Sequence, residues 1–477
     1  ATWMSGCATT TPTHLTALRE AYKLSSDGLA SKLTPTEMYD ARKMLDKANT
    51  EEEKANVEKY VTVHGQEISP TNYAVCRADL LIKNDKQAAV HLGNSLIPHD
   101  PKSKEPGDQW PEGKWKFDRM LSNPPFGVTW GGKDGYQTEA EKLKPTRYRA
   151  GMPRINDGAL LFLQTMLAKM IPCDPEDDKK SGSRIAIIFN GSPLSNGDCG
   201  SGESEIRRWI LENDWLDAIV MLPDQLFYNT GIFTYVWLLR NEKPTSHRER
   251  VMLIDARQQF EKEPKSFGNK RKRLVDAHRA WIEERYRDGW VDGYSDDYVK
   301  IFNCNDFAYH KVSVVFWQTD ENDQPATITE PWTKIFTAAN VKKELEFHES
   351  ELTFRVQVKI KGKAKTIKFT VLPEDTVPRI FRDAMSDTDE TLSVEWTHRH
   401  YVQDDEYIPA GEDIVAFLQR EIAKPIIRWQ DSPQLGYEIL PNKYFYRYQP
   451  PTPAKDLLEE FWRLEKVAEK LLKRLAE

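Results

Sequence analysis

The sequence predicts an α/β protein with a mixed, mostly parallel sheet, and three observations carry that expectation. Short apolar strands alternate with amphipathic helices from Val61 to about Arg240, the order that gives a sheet covered on both faces. The segment SRIAIIFNG has the apolar character of a buried strand. At 477 residues, 39% hydrophobic and 30% charged, the chain is long enough for two or three domains of ordinary globular composition.

Taken in order, residues 1–60 are polar and helical in pattern, with a capping-type Thr-x-x-Glu ahead of Met38. VTVHGQE reads as a strand that ends in polar residues. Pro70 to Ile82 reads as a helix with Tyr73, Val75, Leu80 and Leu81 turned inward. QAAVHLGNSL and FDRMLSNPPF supply further strands, ALLFLQTMLAKMI and ESEIRRWILEN two helices, and LDAIVMLP and YVWLLRNE two more strands. Beyond Glu242 the pattern loosens. KSFGNKRKRLVDAHRAWIEERY reads as a basic helical stretch, facing either phosphates or solvent, and residues 310–372 are strand-like. Near the end, Leu457, Phe461, Leu464, Ala468, Leu471 and Leu475 recur at spacings of four and three. That is a heptad seam, to be buried by a partner helix or by its own domain. The expected division is a helical segment over 1–60, a core over 61–260, an accessory α+β region over 261–410 and a tail over 411–477.

Composition narrows the function. The five cysteines, Cys7, Cys76, Cys173, Cys199 and Cys304, are scattered and form no C-x-x-C pair, so neither a disulfide framework nor a zinc site is expected. The ten histidines show no ligand spacing, so no metal is expected. No apolar run approaches the roughly 20 residues that cross a bilayer, and no signal peptide is visible. A cytoplasmic protein with no membrane partner is the expectation. The formal charge of −7 lacks the basic surplus of a protein that grips DNA alone. A chain of this charge acting on DNA needs a local basic surface or a partner.

The sharpest motif is Asn123-Pro124-Pro125-Phe126, directly after a strand. The lone pair of an exocyclic adenine amine is delocalised into the ring, so alkylating it needs acceptors that hold the amine. The Asn123 side-chain carbonyl and the Pro124 backbone carbonyl can each take one N6 hydrogen. Two prolines stiffen the turn and remove backbone donors, and Phe126 offers a face to a base that has left the duplex. The alternative is a Pro-rich turn of no chemical role. Upstream, Gly65-Gln66-Glu67 closes a strand, and an acidic residue at such a strand end suits ribose hydroxyls, which makes Glu67 the cofactor candidate. Asn94 and Ser95, in GNSL at the next strand end, suit the adenine of the same cofactor. Phe227-Tyr228-Asn229-Thr230-Gly231 either sets an aromatic against the base or is a packed turn with Gly231 in an unusual conformation.

The series HGQEISPTNYAVCRADLLI, HLGNSL, FDRMLSNPPFGVTW, RAGMP, GESEIRRWILEND, LDAIVMLPDQLFYNTGIFT, LIDARQQF and GYEILPNKYFYRYQPP is similar, segment by segment, to the modification subunit of type I restriction-modification enzymes. The resemblance runs from about Val61 to the end and is weakest over residues 310–400. It implies a Rossmann-like S-adenosylmethionine-dependent methyltransferase core with an α+β C-terminal extension ending in a long amphipathic helix. It implies that Asn123 to Phe126 are catalytic and that Glu67, with Gly65, Asn94 and Ser95, lines the cofactor site. Its implied partners are duplex DNA, a DNA-specificity subunit docked on the C-terminal helix, a second modification subunit and a restriction translocase subunit. The departure lies near the start, where the family's glycine-rich Asp-Pro-x-Cys-Gly-x-Gly cofactor loop has no counterpart before Gly65. Asp198-Cys199-Gly200-Ser201-Gly202 is a distant substitute, read here as an ordinary turn. Two other readings stay open: a subunit, non-catalytic or truncated, with an incomplete cofactor site, and a protein-glutamine N-methyltransferase, against which Phe126 counts.

Overall fold

A computed structural model describes residues 4–7, 63–82, 88–100, 106–132, 135–174, 182–375, 379, 388–422, 424–429, 433–446, 448 and 452–476. The expected N-terminal helical segment lies outside the described residues, apart from a strand, β1 (Met4–Cys7), that the sequence did not suggest. There follow β2 (Val63–Glu67), α1 (Pro70–Ile82), β3 (Ala89–Leu92), β4 (Arg119–Ser122), α2 (Ala159–Ala168), β5 (Arg184–Phe189) and α3 (Gly202–Glu212). Next come β6 (Leu216–Leu222), β7 (Thr234–Arg240), β8 (Arg250–Asp255), β9 (Glu261–Phe267), β10 (Lys270–Arg273), α4 (Asp276–Asp288) and β11 (Val299–Asn303). The chain then runs through β12 (Ala308–Trp317), β13 (Thr327–Pro331), α5 (Ala338–His348), β14 (Leu352–Ile360), β15 (Lys363–Val371), β16 (Thr388–Arg399), β17 (Tyr401–Pro409) and α6 (Ile414–Glu421). It ends with β18 (Ile426–Trp429), β19 (Gln434–Tyr437) and α7 (Ala454–Ala476).

Two compact units divide these elements. The first comprises Ala1–Asp217, Val236–Val251 and Phe302–Glu438, and the second Ala218–Tyr235, Met252–Ile301 and Ile439–Glu477. In the first unit the sheet runs β7-β5-β4-β1-β2-β3. The pairs β2–β3 and β4–β5 are parallel, and β1 is antiparallel to both its neighbours. Helix α2 is apolar almost all round and eight of its ten residues are buried, as a helix inside a core must be. Helix α3 is amphipathic instead, capped by the Ser201 hydroxyl on the Ser204 N–H and buried through Ile206, Ile210 and Leu211. In the second unit β6 and β8 pair in parallel. All seven residues of β6 are buried, Asp217 among them, which explains the unbroken apolar run from Ala218 to Leu222.

Several expectations needed correction. Only Cys76 of α1 is buried; Val75 and Leu81 are exposed, and Tyr73 and Leu80 half-buried. KSFGNKRKRL forms an antiparallel hairpin, β9–β10, rather than a helix, and helix begins only at Asp276. The hairpin turns at Gly268, whose φ of +60° suits glycine, and helical spacing in charged residues is a weak signal without an apolar stripe. Among the described residues no helix is long and apolar enough to cross a membrane.

Residues 327–399 hold a small sheet, ordered β13-β16-β14-β15, with α5 against it. Alternation in LTFRVQVKI turns Leu352, Phe354, Val356 and Val358 inward onto Val341 and Leu345 of α5 and Trp396 of β16. His348, the last residue of α5, is wholly buried beside Trp396, His398 and Tyr401, and neither ring nitrogen has a hydrogen-bond partner among the described residues. Glu344 lies 3.9 Å away but is engaged by Lys334. Burial, reinforced by His398, Arg399 and Lys334, pulls the imidazole down to about 4. The unfolded chain takes up a proton near 6.5 that the folded chain refuses until about 4. Stability should therefore fall as pH drops through that window. His348→Phe is expected to flatten this part of the pH dependence in urea unfolding; an unchanged slope between pH 6.5 and 4 would assign it to other groups.

Candidate functional site

Strands β2, β3, β4 and β5 run in one direction and end at one edge of the first unit's sheet, where α/β folds seat ligands. Register places the two leading candidates. Met4 pairs with Gln66 on one side and Ser122 on the other. Glu67 and Asn123, one residue on, therefore leave the sheet at one level, two strand spacings or roughly 10 Å apart.

Glu67 is 3% exposed. One carboxylate oxygen accepts the Ser69 N–H at 2.8 Å, and the other is buried with no partner among the described residues. Unpaired burial of such an oxygen is costly, so the position calls for a donor from outside them. The GNSL turn lies beside it, with Gly93 N–H donating to the Glu67 carbonyl at 2.9 Å. A Cβ on Gly93 would stand 2.5 Å from the Gly107 carbonyl oxygen, so only glycine fits there. Asn94 and Ser95 are both buried and largely committed within the turn. The Asn94 side-chain oxygen accepts the Leu96 N–H at 3.0 Å, and the Ser95 carbonyl accepts Arg147 Nη1 at 2.7 Å. Gly65 sits two residues short of the edge, and its carbonyl takes the Trp110 indole N–H at 3.1 Å.

Behind this turn lies an ion cluster that sequence reasoning missed. Asp108, 0% exposed, accepts Arg147 at 2.6 Å, Lys169 at 2.8 Å and the Trp110 N–H at 3.0 Å, while Glu112 takes a second bond from Arg147. Burial draws the Lys169 ammonium down to about 8, with the Asp108 carboxylate pulling the other way.

Asn123 to Phe126 leave β4 directly: Pro124 is buried and the other three are half-buried. Neither the Asn123 amide nor the Pro124 carbonyl has a hydrogen-bond partner among the described residues. Gly127, at φ +60°, turns the chain away, and Trp130 anchors it in the core with Leu96, Tyr148 and Leu161, its indole N–H on the Arg154 carbonyl at 2.8 Å. A further polar residue stands one strand over. Asn190 follows β5, and its side-chain oxygen is buried with no partner among the described residues. Its only sequence signal was an Asn-Gly pair at the end of a parallel strand. A small cleft nearby is lined by Arg154, Asp157, Ser192, Asn196 and Glu203; burial raises the Asp157 carboxyl.

The loop Asp198 to Gly202 is spent on packing. Asp198 pairs with Lys311, the Cys199 thiol donates to the Gln434 carbonyl at 3.5 Å, and Ser201 caps α3. Gly202 lies so close to the Met152 carbonyl that a Cβ would overlap it. In the second unit, Tyr228 is 61% exposed beneath the Lys270 ammonium. Gly231 does not adopt the positive φ suggested for it.

A family model described as N-6 DNA Methylase matches residues 40–316, more than half of the chain. Over 264 residues the chain is 24% identical to the Type I restriction enzyme MjaIX methylase subunit of Methanocaldococcus jannaschii, covering 54% of this chain and 40% of that one. It is 26% identical over 199 residues to the Type I restriction enzyme HindI methylase subunit of Haemophilus influenzae, covering 42% and 38%. The chain thus spans about 40% of the length of these curated relatives. A solved type I restriction-modification system methyltransferase subunit from Streptococcus thermophilus aligns over 63% of this chain and 57% of its own, at 19% identity and a TM-score of 0.41. The family match covers the strand ends that carry Glu67, Asn94 and Asn123 to Phe126, and the chain belongs to the N-6 DNA methylase family.

Proposed function

We propose that this chain is a modification subunit of a type I restriction-modification system, transferring a methyl group to N6 of an adenine flipped out of duplex DNA. The observation that carries the reading is the shared level of Glu67 and Asn123 at one sheet edge, each presenting oxygen without a partner among the described residues. Bound S-adenosylmethionine supplies an electrophilic methyl group. Glu67 would accept its ribose hydroxyls, with the Asn94 turn beside the adenine. Asn123 Oδ1 and the Pro124 carbonyl each accept one hydrogen of the target amine, which holds the nitrogen and favours its pyramidal form. Phe126 packs on the flipped base. Catalysis then consists mainly of positioning and polarisation. Gly65 acts through the fold of the strand that ends at Glu67.

Family membership and the likeness to type I methylase subunits support the partners: a DNA-specificity subunit that reads the sequence, a second modification subunit, and a restriction translocase subunit in the full assembly, in the cytoplasm. Helix α7 supports the docking role. Every described side chain from 452 to 473 is exposed, including Leu457, Phe461, Leu464 and Leu471, so no described residue covers the seam. Leu475 lies outside the described side chains.

One observation favours a second reading, a subunit that presents the acceptor motif without holding cofactor. The slot between β2 and β4 is filled by β1, which runs antiparallel to both and ends at the edge opposite Glu67. Titration of the chain with S-adenosylmethionine separates the two readings. Under the first, the chain binds, and Glu67→Ala weakens binding by about 1.5–3 kcal/mol, the range for hydrogen bonds to a charged group. An unchanged dissociation constant would exclude Glu67. Asn123→Ala is expected to lower methyl transfer to DNA by roughly 100- to 1000-fold with folding intact. Full activity in the variant would remove Asn123 from the chemistry, and transfer to protein glutamine instead of DNA would replace the reading. Leu464→Asp with Leu471→Asp should leave the chain folded but unable to co-elute with a specificity subunit on size exclusion; co-elution would place the docking surface elsewhere.

A further inference from the structure

The β14–β15 ribbon lies beyond the residues matched by the family model, and its surface carries charge that the proposed site does not use. Arg355 to Lys368 contain six basic residues and no acidic one. The whole chain is −7, so the remainder carries −13 once these six charges are taken away. Lys361, Lys363, Lys365 and Lys368 are exposed and have no carboxylate partner among the described residues. Arg355 is 3.7 Å from Glu395 but directly opposite Lys368, a like-charge pair of the kind that destabilises a ladder. Lys359 stands opposite Glu390 in register.

Turn geometry makes the pattern pointed. Ile360 pairs with Lys363 around a two-residue loop in which Lys361 and Gly362 both have positive φ, 50° and 76°. That turn favours Asn-Gly, and lysine at its first position is held in a backbone conformation that L side chains rarely adopt. Edge strands do use lysine to deter pairing, and β15 is an edge strand. Edge protection, however, gives no reason for Lys361, which sits in the turn beyond the ladder. The charges also leave both faces of the ribbon: Lys368 shares the polar face with Arg355, whereas Lys363 and Lys365 lie opposite Ile360 and Val358 on the other. A ribbon charged on both faces suits a groove walled on both sides by phosphate, and the major groove of B-DNA, roughly 12 Å wide, admits a two-stranded ribbon.

We propose that the β14–β15 ribbon is a contact for the phosphate backbone of duplex DNA, separate from the base-modifying site. The identity of the polyanion rests on the DNA-methylation reading; the ribbon's charge does not. The test uses the full chain, a labelled mixed-sequence duplex and a salt series. Replacing Lys361, Lys363, Lys365 and Lys368 together by Gln should lower the slope of log K against log salt by up to about 3.6, at about 0.9 per phosphate contact. The corresponding fourfold Lys→Arg variant should keep the parent slope. An unchanged slope in the Gln variant overturns the proposal, as does absence of duplex binding by the parent at low salt. Tighter binding of an acidic polypeptide than of duplex overturns it too. A lysine-dependent slope in a chain that transfers no methyl group supports the ribbon while the methylation reading fails.

Discussion

Asp108 is the constraint on which the first unit's site depends. A carboxylate with no solvent exposure survives only because Arg147, Lys169 and the Trp110 N–H converge on it. Each of those groups belongs to a different part of the architecture. Arg147 reaches back to the Ser95 carbonyl and so holds the GNSL turn in place, and Lys169 follows the last residue of α2. Stripping a partner from a buried ion costs roughly 3–5 kcal/mol, which is comparable to a large part of a domain's net stability. One charge cluster thereby locks the strand end beside Glu67 to the helix behind it.

Against that rigid backing, the edge itself is left unsatisfied. Glu67, Asn123 and Asn190 follow parallel strands, where successive side chains diverge and backbone acceptors run out. The Glu67 carboxylate sits beside a turn that admits no side chain at Gly93. The contrast between the paired Asp108 cluster and the open rim is how a fold stores polarity for a ligand, since water cannot relax what the cluster fixes.

Much of this was legible in the sequence, and the failures have physical causes. Strand ends and prolines are local signals, so the positions of Glu67, Asn94 and Asn123 at strand termini could be read from a few neighbouring residues. The Asp108 cluster could not, because its partners lie 39 and 61 residues away and only the fold brings them together. The inward face of α1 was misjudged because apolar content was taken for burial, whereas Cys76 rather than Val75 turns inward. Basic residues misled in a different way. The charges of KSFGNKRKRL are largely answered by Asp224, Glu261 and Glu263, while the lysines of β15 and its turn have no carboxylate partner among the described residues. Charge counts along a chain do not distinguish the two.

Helix α7 has a consequence for how much of the protein persists. Its apolar seam is uncovered along every described turn, and an uncovered helix opens and is cut more readily than a packed one. A partner that buries the seam shifts that opening equilibrium by mass action, in proportion to the partner's concentration. If a partner covers α7, the lifetime of this chain rises with that partner's concentration.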